Sequence, residues 1–269
     1  TPVGFKGAGV TVAVIDTGVD YTHAMFGGVG TPEAYDLNDP AVVESGSFPT
    51  AKVIGGWDFA GTDYNANTPG SMPVPDGDPL DENGHGTHVA STAAGMNAGF
   101  GSGVAPEAYI YALKVFGASG STNLVVDAIE WAMDPNGDGN ISDHVDVINM
   151  SLGSSFGPNI DTDPEIIAVE AANSAGVFVV ASAGNSGDTN YVVGAPSVSD
   201  SALSVAASTT GFETAPYIEY TIDSVEHKIP YTTSANSFTT MISAELVDVD
   251  SVDDYLVGFD GTGFLCDAT

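Results

Sequence analysis

The chain has 269 residues, 43 % of them hydrophobic, and its 33 glycines and 15 prolines follow no fixed period. This length and composition support a folded core and exclude a disordered or collagen-like chain. The 36 acidic and 4 basic residues give a formal charge of −32, which argues against nucleic acids and anionic membranes as partners, because both are bound through Lys and Arg. Calcium, whose preferred ligands are carboxylate oxygens, and salt-rich or extracellular water remain compatible with this charge.

The first 208 residues alternate between apolar segments of strand length and helical stretches. The predicted strands are Val10–Asp16, Lys52–Phe59, Tyr109–Phe116, Val145–Leu152, Val177–Ala183 and Ala202–Ser208. Helices are predicted from His85, after Thr122, and in a stretch with Pro164 early and Gly176 as its stop. This alternation predicts an α/β fold, with a largely parallel sheet covered by helices on both faces. Functional residues in such folds lie at the carboxyl ends of strands.

Residues 209–269 have a different texture, rich in Thr, Ser and Asp, with short alternating segments and no helical pattern. We expect the opening of a β-rich module here, separate from residues 1–208. The single cysteine, Cys266, lies in this segment, so the chain can form no internal disulfide. No apolar run is long enough to span a bilayer, and the first residues lack the pattern of a signal peptide.

Three polar motifs lie at the ends of these elements. Asp16 ends the first strand and is followed by Thr17-Gly18, a position where an aspartate also commonly caps a turn. His85 opens a helix in the motif GHGTHVAS; His88 is only three residues away and no glutamate separates them, which disfavours a zinc-protease helix. Asn185 follows Gly184 after a buried strand, where its amide suits either a tight turn or donation to an oxyanion.

Together, DTG, GHGTHVAS and SAGN, in this order and structural context, resemble the subtilisin-like serine proteases (subtilases) over about residues 8–208. The resemblance implies a three-layer parallel-sheet fold and hydrolysis of protein or peptide substrates. It implies that Asp16 orients His85, that His85 is the general base and then the general acid, and that Asn185 donates to the oxyanion. His88 is expected to pack inside as a structural histidine.

The motif INMSLG resembles the substrate-cleft strand of the same family. The resemblance implies that an extended substrate backbone pairs with Ser151, Leu152 and Gly153. It also implies that the pocket for the residue before the scissile bond is lined by Ser182, Ala183 and Gly184.

The nucleophile of this family is a serine in a Gly-Thr-Ser motif, and Gly-Thr-Ser does not occur in these 269 residues. We therefore expect the N-terminal part of the catalytic domain of a larger secreted protease, inactive alone and completed by its missing C-terminal part. Residues 209–269 resemble the start of an inserted protease-associated domain. The alternatives are a non-catalytic peptide-binding or scaffolding descendant of the fold and a calcium-binding adhesion module.

The segment from Asp134, DPNGDGNISD, follows the first half of a calcium-binding loop. Its candidate ligands are Asp134, Asn136, Asp138, the backbone carbonyl of Asn140, and Asp143, with Asp146 as a weaker substitute. Asp143 would replace the usual glutamate, because Val145 stands at the twelfth position. The alternative is a solvated acidic turn. The acidic run Asp76–Asn83 is a weaker second candidate for an ion site.

Overall fold

The computed structural model of the chain describes residues 4–99, 101–157, 161–208, 217–222 and 225–230. The chain divides into two compact units, Thr1–Ala207 and Ser208–Thr269. Cys266 and the other residues after Pro230 lie outside the described residues.

The first unit contains six strands and four α-helices among its described residues. The strands are β1 (Thr11–Asp16), β2 (Val53–Asp58), β3 (Tyr109–Lys114), β4 (Val147–Met150), β5 (Phe178–Ser182) and β6 (Ala202–Val205). The helices are α1 (Pro32–Asp36), α2 (His85–Ala94), α3 (Val125–Met133) and α4 (Pro164–Ala175). Short 3₁₀ helices span Ala24–Phe26 and Ile141–Asp143.

All six strands form one parallel sheet in the order β2-β3-β1-β4-β5-β6. The predicted α/β fold with a parallel sheet is confirmed, and each strand is one to four residues shorter than its predicted segment. Strand β1 ends at Asp16 as predicted, whereas the other five strands end one to three residues before their predicted ends. The short helix α1 was not predicted; it begins after Thr31, whose hydroxyl accepts a hydrogen bond from the amide of Ala34.

Side chains alternate between the two faces of the sheet. On one face, Ala13 and Ile15 of β1 belong to a core packed with residues of α3 and α4. On the other face, Val12 and Val14 pack with Ala90 of α2. Burying these apolar side chains supplies the main driving force for folding, about 25 cal/mol per Å² removed from water.

The second face is covered unevenly. Helix α2 lies against β1 and β3, whereas at the other end of the sheet Phe178 is 52 %, Leu203 50 % and Val205 48 % exposed. The register pairs Leu203 with Val180, which places both on the face opposite the α4 core. Among the described residues of the first unit, no helix covers this corner of the sheet, which we call the open face.

The residues at the two ends of helix α4 explain where this helix begins and ends. Asp163 accepts hydrogen bonds from the amides of Glu165 and Ile166, Pro164 occupies the first turn, and Gly176 ends the helix with φ 108°. This confirms the predicted stop at Gly176.

The second unit contains an antiparallel hairpin of β7 (Tyr217–Ile222) and β8 (Val225–Pro230). Its first strand coincides with the alternating segment YIEYTI that the sequence singles out. Within the described ranges of both units, the helices are too short or too polar to cross a lipid bilayer.

Candidate active site

Strand β1 and helix α2 bring Asp16 and His85 together. Asp16 ends β1 and is 1 % exposed, and its Oδ1 lies 2.7 Å from Nδ1 of His85. The amide of Thr17 donates a second hydrogen bond to the same oxygen at 2.7 Å. Burial raises the pKa of the Asp16 carboxyl, although the hydrogen bonds from His85 and Thr17 act in the opposite direction.

His85 is the first residue of α2, and its side chain is 51 % exposed. Because Nδ1 faces the Asp16 carboxylate, the imidazole presents Nε2 on its other side. The adjacent Gly86 allows the helix to approach the turn after β1, since a Cβ there would lie 2.2 Å from the carbonyl oxygen of Gly18. The motif therefore needs glycine at this position for a steric reason.

The expectation that His88 packs inside is wrong, because His88 is exposed. The inward face of α2 consists of Gly86, Ala90 and Ala94, four residues apart. A residue two positions after Gly86 lies roughly 200° around the helix, on the solvent side.

A buried lysine supports the loop that leads to His85. Nζ of Lys114, fully buried at the end of β3, lies 2.7 Å from Oδ2 of Asp58 and 2.8 Å from Oε2 of Glu82. Burial by itself lowers the pKa of Lys114, but the two carboxylates more than offset this and leave it raised. Glu82 also accepts a hydrogen bond from the Thr62 hydroxyl at 3.1 Å.

Acidic side chains of the run before His85 thus form contacts inside the protein. Besides Glu82, Asp78 is fully buried and accepts a hydrogen bond from the Tyr21 hydroxyl at 2.9 Å. Burial raises the pKa of Asp78 to about 6. The sequence suggests this run only as a weaker candidate for an ion site, and it contains no local signal for these internal partners.

The predicted substrate residues lie at or just after the carboxyl ends of β4 and β5. The register pairs Val14 of β1 with Asn149 of β4, and Asn149 with Val180 of β5. Two residues further along each chain segment, the same register places Asp16, Ser151 and Ser182 side by side. They lie at the carboxyl edge of three neighbouring strands. Two strand spacings separate Asp16 from Ser182, a distance of about 10 Å between backbones.

The segments after β4 and β5 contact one another. The hydroxyl of Ser182 donates to the carbonyl oxygen of Leu152 at 3.1 Å. Ser151 is half-buried and Gly153 is exposed, with the backbone of Ser154 tied to Ala195 at 2.9 Å.

The turn after β5 carries Asn185. Ala183 is half-buried, whereas Gly184 and Asn185 are exposed, and Gly184 has φ 92° with open space around its Cα. This turn follows the carboxyl end of β5, at the same edge of the sheet that carries Asp16.

The Subtilase family model (Peptidase S8) matches residues 7–252, most of the chain. The chain belongs to the subtilase family. It is similar to Subtilisin DY of Bacillus licheniformis, 38 % identical over 210 residues that cover 76 % of this chain and 58 % of the relative. Minor extracellular protease Vpr of Bacillus subtilis (strain 168) is 37 % identical over 209 residues, covering 76 % of this chain and 21 % of Vpr.

Among solved structures, Sphericase matches with a TM-score of 0.51 and 29 % identity, covering 84 % of this chain and 59 % of that one. Its likeness supports the three-layer subtilase fold read from the sequence. The chain thus spans at most about three fifths of the length of these relatives.

In this subtilase chain, three carboxylates of the acidic loop between α3 and β4 lie close together. Carboxylate oxygens of Asp134, Asp138 and Asp143 lie within 4.8 Å of one another. Asp146, the weaker candidate, is engaged elsewhere, since its Oδ2 accepts hydrogen bonds from the amide of Thr11 at 2.7 Å and from its hydroxyl at 2.9 Å.

The side chains of the two asparagines in this loop have local roles. Oδ1 of Asn136 accepts from the amide of Asp138 at 2.8 Å, and Oδ1 of Asn140 accepts from the amide of Ser142 at 3.2 Å. A hard cation with oxygen ligands fits the donor set of this loop.

Proposed function

We propose that this chain is the N-terminal part of the catalytic domain of a secreted serine endopeptidase. The observation that carries the proposal is the 2.7 Å contact between the buried Asp16 carboxylate and Nδ1 of a half-exposed His85. A carboxylate at Nδ1 fixes the tautomer in which Nε2 is free to accept a proton. Protein and peptide substrates follow from the family to which the chain belongs.

In the proposed reaction, Nε2 of His85 takes the proton of a serine hydroxyl as that hydroxyl attacks the peptide carbonyl. The buried Asp16 carboxylate stabilises the imidazolium that forms. The amide of Asn185 donates a hydrogen bond to the oxyanion, a contribution of about 3 to 4 kcal/mol in this mechanism. The proton then passes from His85 to the leaving amine.

We infer that the serine lies outside these 269 residues, in a C-terminal part of the same protease. Three observations support this: Gly-Thr-Ser is absent from the sequence, the relatives are longer, and the sheet has an open face. Parallel sheets are normally covered on both faces. A helix of the C-terminal part packed on Phe178, Leu203 and Val205 would bury this apolar surface.

A fluorophosphonate that reacts with activated serines tests the proposal. The 269-residue chain alone is expected to remain unlabelled. Mixed with a C-terminal fragment of the same protease that carries Gly-Thr-Ser, it should promote labelling of that fragment, and the His85→Ala chain should not. Stoichiometric labelling of the chain alone would contradict the missing nucleophile, and no labelling of the mixture would favour a non-catalytic peptide-binding or scaffolding descendant.

Secretion and an inserted module are further parts of the proposal. An extracellular location is supported by the relative whose name includes "extracellular protease" and by the charge of −32. A protease-associated-like module beginning at about Thr209 is supported by the separate second unit and its β-hairpin.

We also propose a structural calcium ion in the loop of Asp134, Asp138 and Asp143. The ion would neutralise three carboxylates that otherwise repel one another, and it would hold the loop that leads into β4. Calorimetric titration of the metal-free chain should show calcium uptake that Asp138→Ala abolishes and that Asp200→Ala, at an exposed aspartate elsewhere, leaves intact. Absence of binding heat in the unmodified chain would contradict the site.

A further inference from the structure

The buried carboxylate of Asp81 lies between the two elements that carry Asp16 and His85. It is 3 % exposed and is surrounded by hydrogen-bond donors on both oxygens. Oδ1 accepts from the Thr17 hydroxyl at 2.8 Å and from the amides of Asn83 and Gly84 at 2.9 Å each. Oδ2 accepts from the amide of Thr87 at 2.9 Å and from its hydroxyl at 2.6 Å.

These donors come from both sides of the Asp16–His85 pair. Thr17 directly follows Asp16, whereas Gly84 and Thr87 flank His85 at the N-terminus of α2. The two sides are also linked to each other, because the Thr17 hydroxyl accepts from the amide of Gly86 at 2.8 Å. The Thr87 hydroxyl in turn accepts from the amide of Asp20 at 2.9 Å.

Helix α2 has no cap of its own, since its N-cap residue is Gly84, which has no side chain. The free amides of the first turn need acceptors, and a negative charge near them is favourable. Asp81 supplies both from outside the helix. The same carboxylate therefore fixes where α2 begins and how far that point lies from the end of β1.

We propose that Asp81 is a positioning residue that holds His85 at hydrogen-bonding distance from Asp16. This inference rests on the proposed function in one respect, namely that the Asp16–His85 pair is the working part of the site. Asp81 itself touches neither residue's reacting atom. It acts through Thr17 on one side and through the first turn of α2 on the other.

Asp81→Asn is the direct test. Five hydrogen-bond donors point at the two carboxylate oxygens of Asp81. An asparagine has one oxygen and one NH₂ group, so its NH₂ hydrogens would face the donors that now bond one of the two oxygens. We expect this repulsion to move helix α2 away from the end of β1. The readout is the low-field proton resonance of the His85 Nδ1–H hydrogen bond to Asp16, recorded on the 269-residue chain at fixed pH.

In the unmodified chain the low-field resonance should be present, and it should be lost in Asp81→Asn. Asp78→Asn is the matched control, because Asp78 is a buried carboxylate of the same loop that bonds Tyr21 instead of α2. It should leave the resonance in place. Val169→Ala, in the core on the other face of the sheet, controls for a general loss of stability and should also retain it.

Thr17 provides a second test if Asp81→Asn fails to fold. Thr17→Val keeps the shape but removes the hydroxyl that joins Asp81 to Gly86, so the resonance should be lost. Thr17→Ser restores the hydroxyl and should restore the resonance. A resonance unchanged in Asp81→Asn or in Thr17→Val would overturn the proposal, as would its loss in Val169→Ala.

The outcomes separate this inference from the proposed function. If the resonance is missing from the unmodified chain, both the Asp16–His85 pair and the endopeptidase proposal are contradicted. If it is present in the unmodified chain and in Asp81→Asn, only the proposed role of Asp81 is contradicted. Labelling of the C-terminal fragment is a separate measurement that tests the endopeptidase proposal and not the role of Asp81.

Discussion

The two halves of the candidate site are built differently. In the half formed by β1 and α2, the carboxylates of Asp16 and Asp81 are almost fully buried and hydrogen-bonded. In the half formed by β4 and β5, Gly153, Gly184 and Asn185 are exposed. The proton-handling half is therefore fixed by buried hydrogen bonds, whereas the half proposed to hold substrate and oxyanion is open.

This difference follows from what each half must do. A general base needs one geometry, which buried hydrogen bonds can fix, because each unsatisfied buried polar group would cost about 1–3 kcal/mol. A substrate groove must leave its backbone groups accessible for another chain. The open face of β5 and β6 adjoins the exposed half, so the part of the protease proposed to complete the site would meet it there.

The largest effect is expected from removing the cation beneath the buried half. Lys114→Met leaves Asp58 fully buried without its positive partner, and breaking such a pair from one side costs about 3–5 kcal/mol. Lys6→Met is the control, since its ion pair with Glu107 is 3.7 Å long and exposed, and it should cost less than about 1 kcal/mol. Urea unfolding measures both. Equal losses would show that the buried pair does not support this half.

Protonation of Asp78 gives a reversible way to change the same loop. Its folded pKa of about 6 lies above the ordinary 3.8, so the folded state binds the proton more tightly than the unfolded state. The resulting stabilisation is complete below the unfolded pKa and is lost as the pH rises through about 6. Relative to Asp78→Asn, the unmodified chain should lose up to about 3 kcal/mol across this interval. Urea unfolding of both at several pH values checks this, and a constant difference would refute it.

Replacing one glycine by alanine in each half compares how tightly the two halves are packed. Gly86→Ala places a Cβ 2.2 Å from the carbonyl oxygen of Gly18, so α2 must move, at a cost of about 3 kcal/mol. Gly184→Ala meets no neighbouring atom and carries only the strain of φ 92°, about 1 kcal/mol. Thermal unfolding of the two variants gives the difference. If Gly184→Ala were the more damaging, the exposed half would be the more tightly packed one.

The smallest effect is expected from the contact that joins β4 to β5 within the exposed half. Ser182→Ala removes the hydrogen bond to the Leu152 carbonyl, a net loss of about 1 kcal/mol. The exposed Ser102→Ala variant serves as its control and should be neutral. A loss above about 3 kcal/mol, measured by urea unfolding, would mean that this half is held together more strongly than the structure indicates.

The sequence predicted the sheet well because its strands are continuously apolar, as VTVAVID and VFVVASA are. The structure buries both faces of the first of these strands but leaves one face of the second partly exposed among the described residues. The sequence also predicted the Asp16–His85 pair, but through motif resemblance, because hydrophobic pattern alone says nothing of which strand ends adjoin. The role of His88 was misjudged for lack of the helix phase, which Gly86, Ala90 and Ala94 set. The contacts of Lys114 with Asp58 and Glu82, and the contact of Asp81 with Thr17, join residues more than 30 positions apart, and no local pattern reports such contacts.

The burial of Lys114 has a consequence for how other proteases meet this protein. The four basic residues are all lysines, at positions 6, 52, 114 and 228, and trypsin-like enzymes cut only after lysine or arginine. Lys52 and Lys114 are 2 % and 0 % exposed, so half of the sites at which such an enzyme could cut are hidden inside the folded chain. Amine-directed labels would be excluded from the same two positions.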